Sequence, residues 1–263
     1  MELPDRSNAL LVEVREGVAV LRLNSPERRN AISAAMVDDV CATLDALEAA
    51  DSEVGAVVVT GEGSAFCAGA ELEFVARAGD EKEAATRSLR SIYRLFLRVH
   101  ECTLPTVAAI NGAAVGAGLN LALACDIRVI SEQARVLSRF LDLGLHPGGG
   151  HTWLLTHIAG PQAAFAAVLG AEEISGIDAV RLGLAWRAVP RDEVLTESLK
   201  VATRIAQVPH ELARQVKQTI REMSSVGTYA EGVEHELPKQ LHSAQQDAFR
   251  ERMAALVGAG TSR

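Results

Sequence analysis

The most informative stretch of this sequence reads Asn111-Gly112-Ala113-Ala114-Val115-Gly116-Ala117-Gly118-Leu119-Asn120-Leu121-Ala122-Leu123-Ala124-Cys125-Asp126. The apolar run before it, residues 106–110, is typical of a strand buried in a parallel sheet. A helix-like run, residues 119–124, follows its glycines. Small residues at a strand-to-helix turn leave backbone N–H groups unpaired and open to a ligand. The stretch therefore predicts a binding turn at the start of a helix.

A second glycine turn lies about fifty residues earlier. It reads Ser64-Ala65-Phe66-Cys67-Ala68-Gly69-Ala70-Glu71-Leu72 and follows another apolar run, residues 56–60. Two such turns, brought together by the fold, hold one oxygen between two N–H donors, which is an oxyanion hole. Cys67 is interpreted as a small apolar filler rather than a nucleophile, because no histidine lies near it in the sequence.

Three further motifs extend this pattern over most of the chain. In order, they are Glu27-Arg28-Arg29-Asn30-Ala31, then Gly144-Leu145-His146-Pro147-Gly148-Gly149-Gly150, then the segment 179–190 with Gly183-Leu184 inside it. Together with the two glycine turns, these motifs resemble the crotonase superfamily, also called the enoyl-CoA hydratase/isomerase family. The resemblance covers nearly the whole chain.

The resemblance implies an α/β fold, the crotonase (ClpP/crotonase-like) spiral of repeated β-β-α units with a C-terminal helical trimerisation region. We place the spiral core and its acyl-CoA site in residues 1–195 and the helical region in residues 196–263. Local patterns agree with the first part, since residues 10–23 predict a hairpin and Ser33 predicts a helix start. After Gly160 the pattern predicts helices only. The resemblance further implies that this helical region assembles the protein into a homotrimer or a homohexamer.

The resemblance also assigns residues to the site. It implies that the backbone N–H groups of Ala68 and Ala117 form the oxyanion hole. It further implies contacts with CoA or substrate from Arg28, Arg29, Ala31, Ala65, Ala68, Gly69, Ala70, Leu72, Gly116 and Pro147. Arg28 and Arg29 are cations beside a turn, which suits contact with a phosphate, and a solvated basic pair is the equal alternative for each of them.

Two departures from the family pattern bear on the reaction. Hydratases of the family carry a glutamate pair that acts as acid and base on a water molecule. At those two positions this chain has Asn120 and Phe140, and neither side chain exchanges a proton at neutral pH. Several other groups are candidates to replace the pair: Glu71, Glu73, Asp142, His146 and His151. We single out His146, because histidine titrates near neutral pH. The alternative is that His146 only lines the wall of the site or forms hydrogen bonds behind the groups that touch the substrate.

Composition excludes several classes of function. The chain has 263 residues and a net charge of −8, which argues against general binding of nucleic acid. The start of the chain lacks a signal pattern, and no apolar run is long enough for a membrane span, so we expect a cytoplasmic protein. Its four cysteines are scattered, which favours reduced thiols. We expect no metal and no cofactor apart from the coenzyme A of the substrate.

The sequence thus predicts an enzyme of the enoyl-CoA hydratase/isomerase kind, a lyase or isomerase of fatty acid metabolism. It is expected to bind a CoA thioester and to stabilise the enolate in an oxyanion hole without the usual glutamate pair. The alternative is a non-catalytic acyl-CoA-binding protein on the same fold.

Overall fold

A computed structural model gives the fold over residues 7–49, 52–76 and 81–260. The strands within these ranges are β1 (Leu10–Arg15), β2 (Val18–Leu23), β3 (Ala56–Gly61), β4 (Ala65–Cys67), β5 (Thr106–Ile110), β6 (Ala113–Val115), β7 (Ile127–Ser131), β8 (Arg135–Leu137), β9 (Ile174–Ser175) and β10 (Arg187–Val189). The α-helices are α1 (Ala34–Leu47), α2 (Leu72–Ala76), α3 (Lys82–Glu101), α4 (Ala117–Ala124), α5 (His151–Val168), α6 (Gly176–Arg181), α7 (Val194–Ala206), α8 (His210–Glu222), α9 (Tyr229–Ala244) and α10 (Asp247–Gly260).

Two sheets carry the spiral. The larger has the order β1-β2-β3-β5-β7-β10 and is parallel except for the hairpin of β1 and β2. The smaller has the order β4-β6-β8-β9 and is parallel except where β8 pairs with β9. Each repeating unit therefore gives one strand to each sheet: β3 then β4, β5 then β6, β7 then β8. The prediction of repeated β-β-α units is confirmed.

The apolar runs are explained by the large sheet, which is covered on both faces. Along β3, Val57 and Val59 point into the main core, whereas Ala56 and Val58 point into a second core beneath α7. Successive side chains of a strand face opposite sides of its sheet. A strand buried on both faces is therefore apolar at every position rather than at alternate ones.

Helix starts and turns follow the local sequence signals. The Ser33 side chain accepts a hydrogen bond from the Met36 N–H, so it caps α1 as predicted. β1 and β2 form the predicted hairpin around a turn at Glu16 and Gly17. None of the described helices is both long and apolar enough to cross a membrane.

The prediction of helices alone after Gly160 is wrong in one respect. The short strands β9 and β10 lie in this part of the chain and pair with β8 and β7. With two and three residues, they are too short to show an alternating pattern. The helices that follow pack in two ways, since α7 covers the large sheet with Val194 and Ala202, whereas α8 to α10 have many exposed apolar side chains. The domain boundary at residue 195 stays a prediction.

Candidate active site

The two glycine turns meet, as the sequence predicts. A Cβ atom added to Gly69 would lie 3.1 Å from the carbonyl oxygen of Val115 and 3.9 Å from the backbone nitrogen of Ala117. A Cβ atom added to Gly118 would lie only 2.2 Å from the carbonyl oxygen of Cys67. No side chain fits between the turns, so both glycines are required for the close approach. This approach brings the end of β4 against the N-terminus of α4.

The available N–H donors differ in one position from the prediction. The Ala68 N–H already donates to the Arg29 carbonyl oxygen at 2.9 Å, so it is not free to bind a substrate. The next residues form a bridge to Ile32, in which the Gly69 oxygen and the Glu71 N–H face Ile32. Because alternate backbone groups of an extended chain face opposite sides, the Ala70 N–H faces away from Ile32.

Ala70 and Ala117 therefore supply the unpaired donors of the two turns. Neither N–H has an acceptor among the described residues, and both residues are half-buried. Ala117 is the first residue of α4, where backbone N–H groups have no partner within the helix. The partial positive charge of the helix N-terminus adds to its attraction for an oxyanion.

The loop before α1 is fixed by a buried side chain. Asn30 is fully buried and adopts a left-handed backbone with φ of 57°. Its Oδ1 accepts from the Ser25 N–H at 2.9 Å, and its Nδ2 donates to the carbonyl oxygens of Glu62 and Ala65, each at 2.9 Å. The motif thus holds the loop next to the turn after β4.

The two arginines of this loop differ. The Arg28 guanidinium pairs with the Glu71 carboxylate and also donates to the Ser25 hydroxyl. The Arg29 side chain is exposed and has no ion-pair or hydrogen-bond partner in the described part of the chain. Arg29 is therefore the arginine left free for an anion, and Glu71 is engaged with Arg28 rather than free for catalysis.

The other residues predicted to bind CoA or substrate differ in how deeply they are buried. Ala65 is buried in β4, where its carbonyl oxygen accepts the amide of Asn30, so only its backbone lies near the turn. Ala31 is half-buried and follows the arginines, Gly116 caps α4, and Pro147 is buried before the third glycine motif. Leu72 begins α2, and its side chain lies outside the described part of the structure.

Asn120 does not stand alone at the first glutamate position. It is 1% exposed, and its Nδ2 donates to the Gly148 carbonyl oxygen at 2.9 Å while its Oδ1 lies 2.7 Å from His151 Nδ1. The opposite ring nitrogen of His151 lies 3.0 Å from Ser138 Oγ. The Phe140 ring packs on the imidazole with 4.8 Å between ring centroids. Burial lowers the pKa of His151 to about 4, so the ring is neutral at pH 7.

The remaining candidates lie outside this cluster. His146 is exposed, and its Nδ1–H donates to the Pro147 carbonyl oxygen at 2.7 Å. Asp142 is also exposed and pairs with Arg139. Cys67 is fully buried, and burial raises the pKa of its thiol to about 12, in agreement with a filler. The structure thus brings His151, and not His146, to Asn120.

Sequence reasoning missed the hydrogen-bonded group of Ser138, His151 and Asn120. It named His151 only among several alternatives and did not name Ser138. One signal was present, because Asn120 lies in an otherwise apolar helix segment and a buried amide needs partners. Which residues supply those partners depends on contacts between α4, β8 and α5, which are far apart in the sequence.

Comparisons with known proteins decide the family. The family model described as enoyl-CoA hydratase/isomerase matches residues 13–259. The chain belongs to the enoyl-CoA hydratase/isomerase family. A probable enoyl-CoA hydratase of Mycobacterium tuberculosis is 44% identical over 252 residues, with 94% of this chain and 96% of that protein covered. A 4-chlorobenzoyl coenzyme A dehalogenase of an Arthrobacter species is 32% identical over 248 residues, with 92% and 88% covered.

Solved structures of the family confirm the crotonase fold. A crystal structure of an enoyl-CoA hydratase from Polaromonas sp. JS666 superposes with a TM-score of 0.88 at 28% identity, covering 95% of this chain and 97% of that one. An enoyl-CoA hydratase subunit from Geobacillus kaustophilus gives a TM-score of 0.86 at 29% identity, with 95% of each chain covered. The predicted family and fold class are therefore correct.

Proposed function

We propose that the protein binds a CoA thioester and stabilises the enolate of its acyl group. The thioester oxygen lies between the N–H groups of Ala70 and Ala117, with Ala70 in the place first predicted for Ala68. The observation that carries this proposal is the contact of the two glycine turns, each with a free N–H. Coenzyme A enters as part of the substrate, and no separate cofactor is needed. Its similarity to a probable enoyl-CoA hydratase and to a 4-chlorobenzoyl coenzyme A dehalogenase supports a CoA thioester as the substrate.

Two fixed donors account for a large part of the expected catalysis. Removing one oxyanion donor from a comparable site costs roughly 3–4 kcal/mol of transition-state stabilisation. The turns are held by their close backbone approach and by the buried amide of Asn30, so the donors need no reorganisation when charge develops on the oxygen.

We assign the CoA phosphates to Arg29 rather than to Arg28. The Arg29 guanidinium is exposed and unpaired within the described residues, whereas Arg28 is held by Glu71. Arg29→Ala should weaken binding of acyl-CoA about tenfold, as expected for one charge-assisted contact. Arg15→Ala, on the exposed hairpin, is the matched control and should leave binding unchanged. Equal effects of the two substitutions in titration calorimetry would contradict the assignment.

Hydration should be slow in this protein. Asn120 and Phe140 replace the glutamate pair, and each acid–base group contributes ~10²–10⁴-fold in rate. The test compares three measurements on the purified protein: calorimetric binding of an acyl-CoA and of free CoA plus acid, exchange of the acyl α-protons in D₂O, and hydration of crotonyl-CoA. We expect tighter binding of the thioester, α-proton exchange, and little hydration.

The measurements also separate the alternative function. A non-catalytic binder, favoured by the loss of both carboxylates, would bind the thioester without exchanging its α-protons. Equal binding of the thioester and of free CoA plus acid would contradict both readings.

We also propose that the protein assembles as a homotrimer or homohexamer through its C-terminal helices. Ten large apolar side chains in the described part of α8 to α10 are at least 42% exposed in the single chain: Val216, Ile220, Tyr229, Val233, Leu237, Leu241, Phe249, Met253, Leu256 and Val257. Exposed apolar patches of this kind mark interaction surfaces. Leu237→Glu with Leu241→Glu should lower the mass measured by light scattering. A monomeric unmodified protein at micromolar concentration would contradict this assembly.

A further inference from the structure

Three polar side chains form a single chain of hydrogen bonds behind the glycine turns. Ser138 Oγ lies 3.0 Å from His151 Nε2, and His151 Nδ1 lies 2.7 Å from Asn120 Oδ1. All three residues are at most 4% exposed. The order of groups is hydroxyl, imidazole, amide, which is the order of a nucleophile, a base and a group that orients the base.

The direction of the hydrogen bonds follows from the outer partner. Asn120 Nδ2 donates to the Gly148 carbonyl oxygen, so the Asn120 oxygen is the atom that faces the ring. An amide oxygen only accepts, and His151 Nδ1 must therefore carry the proton. In the neutral ring Nε2 then has a lone pair, so the Ser138 hydroxyl donates to it. The serine proton is thus directed at a base.

Ser138 also lies beside the proposed oxyanion hole. It follows β8 directly, and the Leu137 carbonyl oxygen accepts the Gly116 N–H at 2.9 Å. The Ser138 carbonyl oxygen is 3.3 Å from the position of a Cβ atom on Gly116. Because Gly116 immediately precedes Ala117, the backbone of Ser138 lies close to the turn that carries this oxyanion donor.

Phe140 packs against the His151 imidazole of this group. Its ring also lies 3.8 Å from the Cβ position of Gly116. Phe140 is half-buried, and it stands at the second of the two positions where hydratases of the family carry a glutamate.

We propose that Ser138, His151 and Asn120 form a nucleophile, a base and a positioning residue, and that the protein hydrolyses acyl-CoA thioesters through an acyl-Ser138 ester. This inference rests on the proposed function, because it needs the thioester oxygen between Ala70 and Ala117. The same two donors stabilise the oxyanion of a tetrahedral intermediate.

The steps balance with water as the second substrate. Ser138 Oγ attacks the thioester carbon, its proton passes to His151 Nε2, and the C=O electron pair moves onto the oxygen. The intermediate collapses as the C–S bond breaks, and the sulfur leaves with the proton from Nε2 as free CoA. Water then attacks the ester carbon and gives a proton to Nε2, and Oγ takes that proton as the C–O bond to Ser138 breaks. The products are the free acid and free CoA.

The test follows both products and the covalent ester in the full-length protein. Short and medium acyl-CoAs are incubated with the enzyme, free CoA and acid are separated by chromatography, and rapid-quench mass spectrometry with peptide mapping locates the acyl group. A non-hydrolysable thioether analogue of acyl-CoA reports binding. We expect release of CoA and acid, and an acyl group on Ser138.

Ser138→Ala should lower hydrolysis at least about 10³-fold, as removal of a nucleophile does in comparable sites, while binding of the analogue changes little. Ser198→Ala is the matched control, because Ser198 is also fully buried but its hydroxyl donates only to the Val194 carbonyl oxygen. Ser138→Cys keeps a nucleophile and should still form the adduct, which guards against loss of folding as the cause.

The positioning role of Asn120 has its own readout. Asn120→Asp keeps an acceptor for His151 Nδ1 and should keep the acyl-Ser138 adduct, whereas Asn120→Leu should lose the adduct and still bind the analogue. Equal loss in both variants would contradict that role.

Two results would overturn the inference. Binding of the analogue without release of CoA removes the hydrolytic activity and leaves the proposed thioester site intact. Hydrolysis that is unchanged in Ser138→Ala removes the serine. Failure to bind the analogue contradicts the proposed function itself, so the two failures are distinguishable.

Discussion

The buried state of His151 predicts a loss of stability at acidic pH. In the unfolded chain His151 takes up a proton as the pH falls below about 6.5, whereas in the folded protein burial lowers its pKa to about 4. Between these values the unfolded state binds more protons, so stability falls as the pH falls. The full effect is about 3 kcal/mol, and about 2 kcal/mol of it is lost by pH 5.

Chemical denaturation at fixed protein concentration measures this effect. The free energy of unfolding is compared at pH 7, 6 and 5 for the unmodified protein and for His151→Gln, which keeps a donor and an acceptor but does not titrate. We expect the difference between the two proteins to shrink by about 2 kcal/mol between pH 7 and pH 5. His157→Gln, on the exposed face of α5, is the control and should keep the full pH dependence.

The comparison of variants removes other titrating groups from the result. Burial also lowers the pKa of His100, which adds to the slope of every protein in the set. If unmodified protein and His151→Gln lose stability in parallel from pH 7 to pH 5, His151 is not held neutral, and the directed hydrogen bond from Ser138 loses its basis.

Two further predictions concern packing and buried charge. Gly118→Ala should abolish binding of CoA thioesters in calorimetry, because the added Cβ would lie 2.2 Å from the Cys67 carbonyl oxygen and push the two turns apart. The control Gly232→Ala should bind them normally, because the nearest neighbour of its added Cβ would be 3.8 Å away. Lys217→Met should lower the free energy of unfolding by about 3 kcal/mol, because it removes the buried ammonium group that lies 2.6 Å from the Asp126 carboxylate. Lys200→Met, in an exposed ion pair, should cost less than about 1 kcal/mol in the same urea titration, and a similar cost for both lysines would refute the reasoning.

The sequence alone was informative wherever a short segment carries its own constraint. The four residues Ala56 to Val59 are apolar at every position, which identifies a strand covered on both faces before any partner is known. Ser33 and the first turn of α1 signal a helix start within a few residues. Glycines at the strand-to-helix turns mark the places where no side chain fits and where backbone N–H groups can face a ligand. The family and the fold class followed from the resemblance of the ordered motifs, which are also short segments of sequence.

Very short strands, and strands that pair with distant parts of the chain, could not be predicted from the sequence. The strands β9 and β10 hold two and three residues, too few for a period to appear. Their positions depend on the neighbours β8 and β7, which are supplied by other parts of the chain. An edge strand of this length is stabilised by pairing rather than by its own pattern.

Sequence alone therefore identified the two glycine turns and the loss of the hydratase carboxylates at residues 120 and 140, because both statements depend only on which residues occupy which positions. The tertiary structure decided which N–H groups remain free and which histidine meets Asn120. The Ala68 N–H is occupied by the Arg29 carbonyl, and His151 rather than His146 lies 2.7 Å from Asn120. A hydrogen bond is directional and acts over about 3 Å, so its partner is fixed only when distant segments of the chain are packed together.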